Sequence, residues 1–593
     1  MGDYSISNIY QGGYSSLKPQ YGDIFTGYRL NPGTLGTTTD PRNANVVQEA
    51  TTKLNMGVKQ IELALVSPEV FDSIPRQQLK EINRLSKLTG IDVSVHGPVM
   101  GSSGMSQQGF SELNRVAEER RIADVLLRST EVKPEGNVNV TFHSSESLPG
   151  SEWKTLGGQG KEREAKKIIA VDKESGKMIP IEKEEKFYPG TNLLEPKEYS
   201  PKKVLEMQNE SQWDTQINQL FFNKERADEI LNQNAIQIQH LFDYLGEKEK
   251  KGEEPILVPA QQEAYTKFKD AKMYLDEVHK NANGVFSKAY QYGDDQQKKL
   301  LSELNEKYKQ RLEKEGDNIT GQSHTMHWLL QELQNPVLAP KMFIPIEEFA
   351  VEQSSKTFGN AAFNAYKTKG DKAPILTIEN PPAGFALSTG EDLRNLIVES
   401  RKQFAKKAVE EKNISQREAE KLAEKFIGAT WDVGHINMLR GKGDFGAKDV
   451  VAESEKIAPF VKHVHLSDNF GFEHTELPMG MGNVPTKEIF EKLGKEGFDA
   501  KKIIEAGNWW KHFKTPPLRE TLEAFGSPIY GMEMSPYWNQ SPGFQAGYFS
   551  GYGSMLPQVN YETFGAGFSR LPSELGGSRQ GAEGSRMSGR GME

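Results

Sequence analysis

His96, His143, Glu379, Asp432, His435, His465 and Glu505 share a placement: each stands at or just past the end of a short run rich in β-branched residues. The runs read VSVHGP, VTFHSS, LTIENPP, TWDVGHI, VHLSD and IIEAG. Imidazoles and carboxylates, in a chain without cysteine, are the donors of zinc, manganese, magnesium or iron rather than of soft-metal thiolate sites. One histidine at a strand end is ordinarily a hydrogen-bonded structural residue, and one glutamate there needs no special account. Seven that converge are another matter, because buried carboxylates without a compensating charge are costly and imply a cation.

Whether they converge depends on the elements that carry them. Eight runs read as strands: GYRL (Gly27 to Leu30), VKQIELALV (Val58 to Val66), IDVSVHGPV (Ile91 to Val99), VNVTFHSS (Val138 to Ser145), PILTIENPP (Pro374 to Pro382), GATWDVGHI (Gly428 to Ile436), VKHVHLSD (Val461 to Asp468) and KIIEAGNWW (Lys502 to Trp510). Helical patterns lie between them; PRQQLKEINRLSKLTG puts Leu79, Ile82 and Leu85 on one face and stops at Gly90. Eight such units predict a (β/α)8 TIM barrel, in which the C-terminal strand ends form one mouth and bring the seven groups together.

The alternation breaks once, between the fourth and fifth strands. The expected division is an N-terminal extension over 1–22, the barrel over 23–160 and 370–522, a hairpin plus mainly helical insertion over 161–369, and a Gly-rich low-complexity tail over 523–593. The hairpin turns at ESGK, and Leu220, Ala227, Leu231, Ile238, Leu241 and Leu245 recur close to a heptad period. The tail is too poor in apolar residues to offset the entropy of ordering, so it is expected to be mostly disordered. Insertion and tail are the surfaces offered to a protein partner.

With 73 basic and 82 acidic residues the net charge is −9, which excludes a global positive field for nucleic acid and leaves only a local basic groove. The absence of cysteine fits the cytoplasm, and neither a signal-like N-terminus nor an apolar run long enough for a membrane is present.

In order along the chain, VHGP, TFHSS, TIENPPAG, WDVGHINM, HVHLSDN, LPMGMGNVP and IIEAG resemble the xylose isomerase-like TIM barrels. These include endonuclease IV, which acts at abasic sites, and sugar or sugar-phosphate isomerases and epimerases. In the endonuclease IV branch nine ligands hold three metals, and the resemblance carries seven of them to the residues above. The remaining two are an Asp-x-His pair just before Gly-x-Gly. Counting back from Gly480 and Gly482 puts them on His474 and Glu476, with the order swapped.

The resemblance selects His465, in its HLSD context, over His463, and gives Asp468 the task of orienting a ligand imidazole. Asn380 and Asn437 are open between substrate contact and turn capping. His240, His279, His324, His327 and His512 are expected to be structural or at the surface.

The implied activity is phosphodiester hydrolysis at abasic or damaged DNA by two or three divalent ions, zinc first, with manganese or magnesium as alternatives. Glu379 and Glu505 would set the charge of that centre. The alternative is a sugar or sugar-phosphate isomerase or epimerase in which the same two glutamates are acid and base; a third reading is a non-catalytic scaffold. Where endonuclease IV relatives place a DNA-penetrating aromatic residue, this chain has Val99 and Met100.

Overall fold

A computed structural model describes residues 35–525, apart from 107, 147, 156–162, 190–195, 253, 316–317, 444, 508, 510–512 and 514–516. The N-terminal extension, the GYRL run, His512 and the tail beyond 525 lie outside the described residues. Eight parallel strands close into a barrel: β1 (Leu35–Thr38), β2 (Gln60–Ala64), β3 (Asp92–His96), β4 (Asn139–His143), β5 (Ile375–Glu379), β6 (Ile427–Asp432), β7 (Val461–Leu466) and β8 (Lys501–Ile504). Each pairs with its neighbour in the chain, and β8 returns to β1.

The strand that closes the described barrel ahead of β2 is LGTT. A four-residue run with one large apolar side chain gives little periodicity to read, and Gly36 is required there because any Cβ would strike the backbone of Gln60 on β2.

Alternation along the strands separates inside from outside. On β6, Trp431 faces the helices and donates from Nε1 to Ser454 Oγ at 3.1 Å. Its neighbours Thr430 and Asp432 face the barrel axis, where branched apolar side chains are the usual filling. Here a layer is polar: Asn139 Nδ2 donates to Thr377 Oγ1 at 3.1 Å, Thr430 Oγ1 donates to Thr377 Oγ1 at 2.8 Å, and Thr141 Oγ1 lies 2.9 Å from Thr430 Oγ1. Each hydroxyl is satisfied by another, so the layer carries no stranded polar group.

The interruption after β4 begins with antiparallel strands Glu152–Thr155, Arg163–Asp172 and Met178–Glu182, joined at their edge by Phe343–Pro345. Five helices follow, Pro201–Gln233, Ala235–Lys251, Pro259–Tyr292, Asp295–Glu315 and Ile319–Leu333. The heptad-like run is broken at Asn234, which ends one helix and begins the next. Leu220, Ala227, Leu231, Ile238 and Leu241 are nonetheless buried.

Helix Ile346–Lys369, which falls within the stretch assigned to the insertion, packs against barrel helices Glu112–Ser129 and Gly390–Lys412. Its buried Phe363 meets Phe404 edge-on, with ring centroids 5.7 Å apart, so the barrel's outer layer resumes at Ile346. No helix among the described residues is long and apolar enough to cross a membrane.

Asp392, in the first turn of helix Gly390–Lys412, accepts from Thr389 Oγ1 at 2.7 Å. Burial pushes its carboxyl up to about 7 against that hydrogen bond, and the charges of Glu347, Glu453 and Glu391 add to the rise. The folded state thus holds this proton more tightly than the unfolded chain, whose value is near 3.8. Its contribution is fully present below the unfolded value and is lost as pH rises towards 7. Asp392→Asn is expected to raise the melting temperature at pH 8, with the gain gone by pH 4. Thermal melts at both pH values check this, and a gain independent of pH contradicts it.

Candidate metal centre at the barrel mouth

Glu379, the last residue of β5, is fully buried and sits among four imidazoles. Its register partner on β4 is His143, while Asp432 of β6 is level with His465 of β7, two residues beyond Thr430, the partner of Glu379. His96 Nε2 donates to Glu379 Oε2 at 3.0 Å, and His465 Nδ1 donates to Glu379 Oε1 at 2.8 Å. His143 Nε2 lies 3.7 Å from Glu379 Oε2, and His435 Nδ1 lies 3.9 Å from Glu379 Oε1. Glu505, just past β8, reaches within 3.2 Å of His465 Nδ1.

Four donor sets result among the described residues: Glu62, His463 and His465 form one, His96, His465 and Glu505 another, and the other two contain Glu379. Ligand atoms of His96, His143 and Glu379 lie within 4.8 Å of one another, and so do those of Glu379, Asp432, His465 and Glu505. Glu379 belongs to both. His435 adds a third edge: its Nε2 is 2.8 Å from His474 Nε2, and that nitrogen is 3.8 Å from Glu476 Oε1. Glu476 occupies the left-handed region at φ 47° and accepts from the Gly507 amide at 3.0 Å, which ties the loop after β7 to the loop after β8. All nine expected ligands thus lie at the mouth, linked through these contacts.

The electrostatics fit a cation. Burial, then the charges of Glu505 and Glu379, pushes the Asp432 carboxyl well above its usual range. Asp432 Oδ1 accepts from the amides of Gly434 and His435 at 2.7 and 2.8 Å, while Oδ2 has no hydrogen-bond partner among the described residues. Burial pushes His435 down to about 3, helped by His474, and so keeps it in the neutral form that ligates. Burial opposes protonation of His96 most strongly, but its hydrogen bond to Glu379 and the charges of Glu379, Glu62 and Glu505 together outweigh it and raise the imidazole to about 9. Glu379 itself is held well below the usual carboxylate range: burial is overcome by His465 and His143. A shielded carboxylate cluster with an unpartnered oxygen and a neutral imidazole is a donor set that zinc, manganese or magnesium would satisfy.

One expectation needs correction, and the alternatives left open for two asparagines narrow. Asp468 orients no imidazole; it accepts from the amides of Asn469 at 2.9 Å, Gly480 at 2.9 Å and Val484 at 3.1 Å, holding the GMG loop. Asn380 is fully buried, with its carboxamide paired to the Asp432 amide and carbonyl like one more rung of the sheet, and is not open to substrate. Asn437 is equally buried and donates to Asn469 Oδ1 and Asn483 Oδ1, each at 2.9 Å. Both bind the mouth loops together. One buried acid escaped the sequence reading, Glu62 of β2, which lies 2.9 Å from both His463 Nε2 and His465 Nε2. Its signal was an acidic residue inside the apolar run IELAL, where a charge requires a partner.

Residues 409–525, carrying β6 to β8, match the family model described as xylose isomerase-like TIM barrel. The match covers the last three strands of the closed eight-stranded parallel barrel, and over that stretch the chain is similar to the xylose isomerase-like TIM barrels. An uncharacterized protein of Methanocaldococcus jannaschii is 34% identical over 106 residues, which is 18% of this chain and 34% of the relative. The chain therefore spans about a third of the length of the curated relative it matches. The crystal structure of a D-tagatose 3-epimerase-like protein aligns over 83% of this chain and 96% of its own at 12% identity, with a TM-score of 0.35, too loose a likeness to bear on chemistry.

If the donors hold zinc, zinc at a hundred times its Kd is expected to stabilise the protein by about 2.7 kcal/mol over the chelated form. Glu379→Gln, which weakens both donor sets that contain it, is expected to remove most of that increment. Calorimetric melts with zinc and with a chelator measure it, and superimposable melts of the unaltered protein contradict the assignment.

Proposed function

We propose that this chain is a metal-dependent phosphodiesterase of endonuclease IV type acting on abasic or damaged DNA. The observation that carries the reading is the sharing of Glu379 by two donor sets, extended by His435, His474 and Glu476. One ion would need only Glu379, Asp432, His465 and Glu505. Ions held there would supply Lewis-acid charge to polarise a phosphodiester and to activate water.

The protein's own part is to fix the donors. The ladder aligns His143 with Glu379, Asp432 is anchored by two amides at the start of the short helix Val433–Asn437, and the asparagine pairs lock the loops. Preorganisation of this kind costs no rearrangement when charge develops.

Recognition of DNA at Val99 and Met100 is not supported, because Met100 is only 4% exposed and packs into the core. Exposed apolar side chains occur instead after β7, at Phe470, Phe472 and Met481. Such residues suit stacking on an unpaired base, which is sequence-tolerant.

A second reading, a sugar or sugar-phosphate isomerase or epimerase, is favoured by the completeness of Glu379, Asp432, His465 and Glu505 as a set for a single ion. Glu379 and Glu505 would then move a proton at a sugar carbon. Purified protein with zinc or manganese, assayed on an abasic-site duplex and on ketoses and their phosphates, separates the two. Strand cleavage is expected, falling by about 10²-fold or more in Glu505→Gln. Ketose turnover with intact duplex would establish the second reading, and a protein that takes up no metal would leave the scaffold.

A further inference from the structure

His465 has two faces. Nδ1 looks towards the mouth, 2.8 Å from Glu379 Oε1 and 3.2 Å from Glu505 Oε1. Nε2 looks down the barrel axis, 2.9 Å from Glu62 Oε1. The other oxygen of Glu62 accepts from Ser94 Oγ at 2.9 Å and meets His463 Nε2 at 2.9 Å. Ser94 is the register partner of Glu62 on β3, while His463 and His465 share one face of β7 across the barrel. The side chains of Glu62, His463 and His465 are all 0% exposed.

An isolated carboxylate buried this deeply would be severely penalised, so these neighbours are what keep it ionised. Glu62 Oε1 and His465 Nε2 meet too obliquely for a well-formed hydrogen bond, and neither has a better partner among the described residues. They have only each other. A carboxylate accepts and does not donate, so without a metal both nitrogens carry hydrogen, Nδ1 towards Glu379 and Glu505 and Nε2 towards Glu62; a cation taking the place of the Nδ1 proton would leave the hydrogen on Nε2, facing Glu62.

We propose that Glu62 is a positioning residue for the mouth: it keeps hydrogen on His465 Nε2 and so presents the Nδ1 lone pair to a metal ion, while Ser94 and His463 hold Glu62 in place. The inference rests on the metal-centre reading. It gives His463 a purpose without making it a ligand, and it extends the functional unit one layer into the barrel. A ligand imidazole whose second nitrogen is held by a carboxylate is a general device for fixing tautomer and ring orientation.

Glu62→Gln tests it at nearly constant volume. The amide can turn its NH2 towards Nε2, favouring the opposite tautomer and withdrawing the Nδ1 lone pair. Zinc affinity, measured by chelator competition, is expected to fall about 10- to 100-fold. The visible absorption of the cobalt(II)-loaded variant is expected to differ from that of the unaltered protein, a signature that a role in folding alone would not move. Wild-type affinity and spectrum in a folded Glu62→Gln protein would overturn the proposal while leaving the metal centre standing. Failure of the unaltered protein to bind zinc would overturn both. Should Glu62→Gln not fold, Ser94→Ala frees one oxygen of Glu62 at little cost in volume; a smaller fall in affinity in the same direction supports the proposal, and unchanged affinity overturns it.

Discussion

A carboxylate shut away from solvent governs this barrel. Glu379 ends a strand whose neighbours on either side also end in polar groups, and the parallel ladder leaves those groups nowhere else to go. Four imidazoles converge on it, Asp432 and Glu505 flank it, and the hydroxyl layer of Thr141, Thr377 and Thr430 lies beneath. Each group would be costly to bury alone, and each becomes tolerable because the others are within reach. Much else serves to hold them together: an asparagine used as a sheet rung, and amides turned inward at Asp432 and Asp468.

How much of this was legible in the sequence varied with the kind of signal. Strand ends bearing His, Asp or Glu announced themselves because a β-branched run stops at a polar residue, and all nine named donors do lie at the mouth. The exchanged HTE pair was placed by counting from GMG, and the structure brings His474 to His435. Side-chain partners were less legible. Asp468 and Asn380 are residue types that serve equally as ligand supports or as backbone caps, and only the fold decides which amides come near. Glu62 is hard to read because the apolar run around it marks a buried strand, and the partners of the one charge within it appear only in the fold.

Element boundaries failed for local reasons. LGTT is too short and too polar to advertise a strand, yet it closes the barrel between β2 and β8. The run from Val204 to Leu245 keeps an apolar rhythm through Asn234, so periodicity alone could not reveal that the chain changes helix there. Helix Ile346–Lys369 carries apolar residues on much of its surface, as a helix wedged between two others must, and nothing in its pattern separates it from the inserted helices before it.

The insertion departs just after His143 and the chain returns, through helix Ile346–Lys369, to the strand that ends in Glu379. Those two residues face one another across adjacent strands. The segment leaving is stitched to the loop after β5 where Ala386 N donates to the Leu148 carbonyl at 2.9 Å. Growth at this connection, rather than at one on the opposite end of the barrel, builds masonry on the rim where the donors gather. The rim is consequently unequal, with the inserted strands and helices all attached at the one connection between β4 and β5.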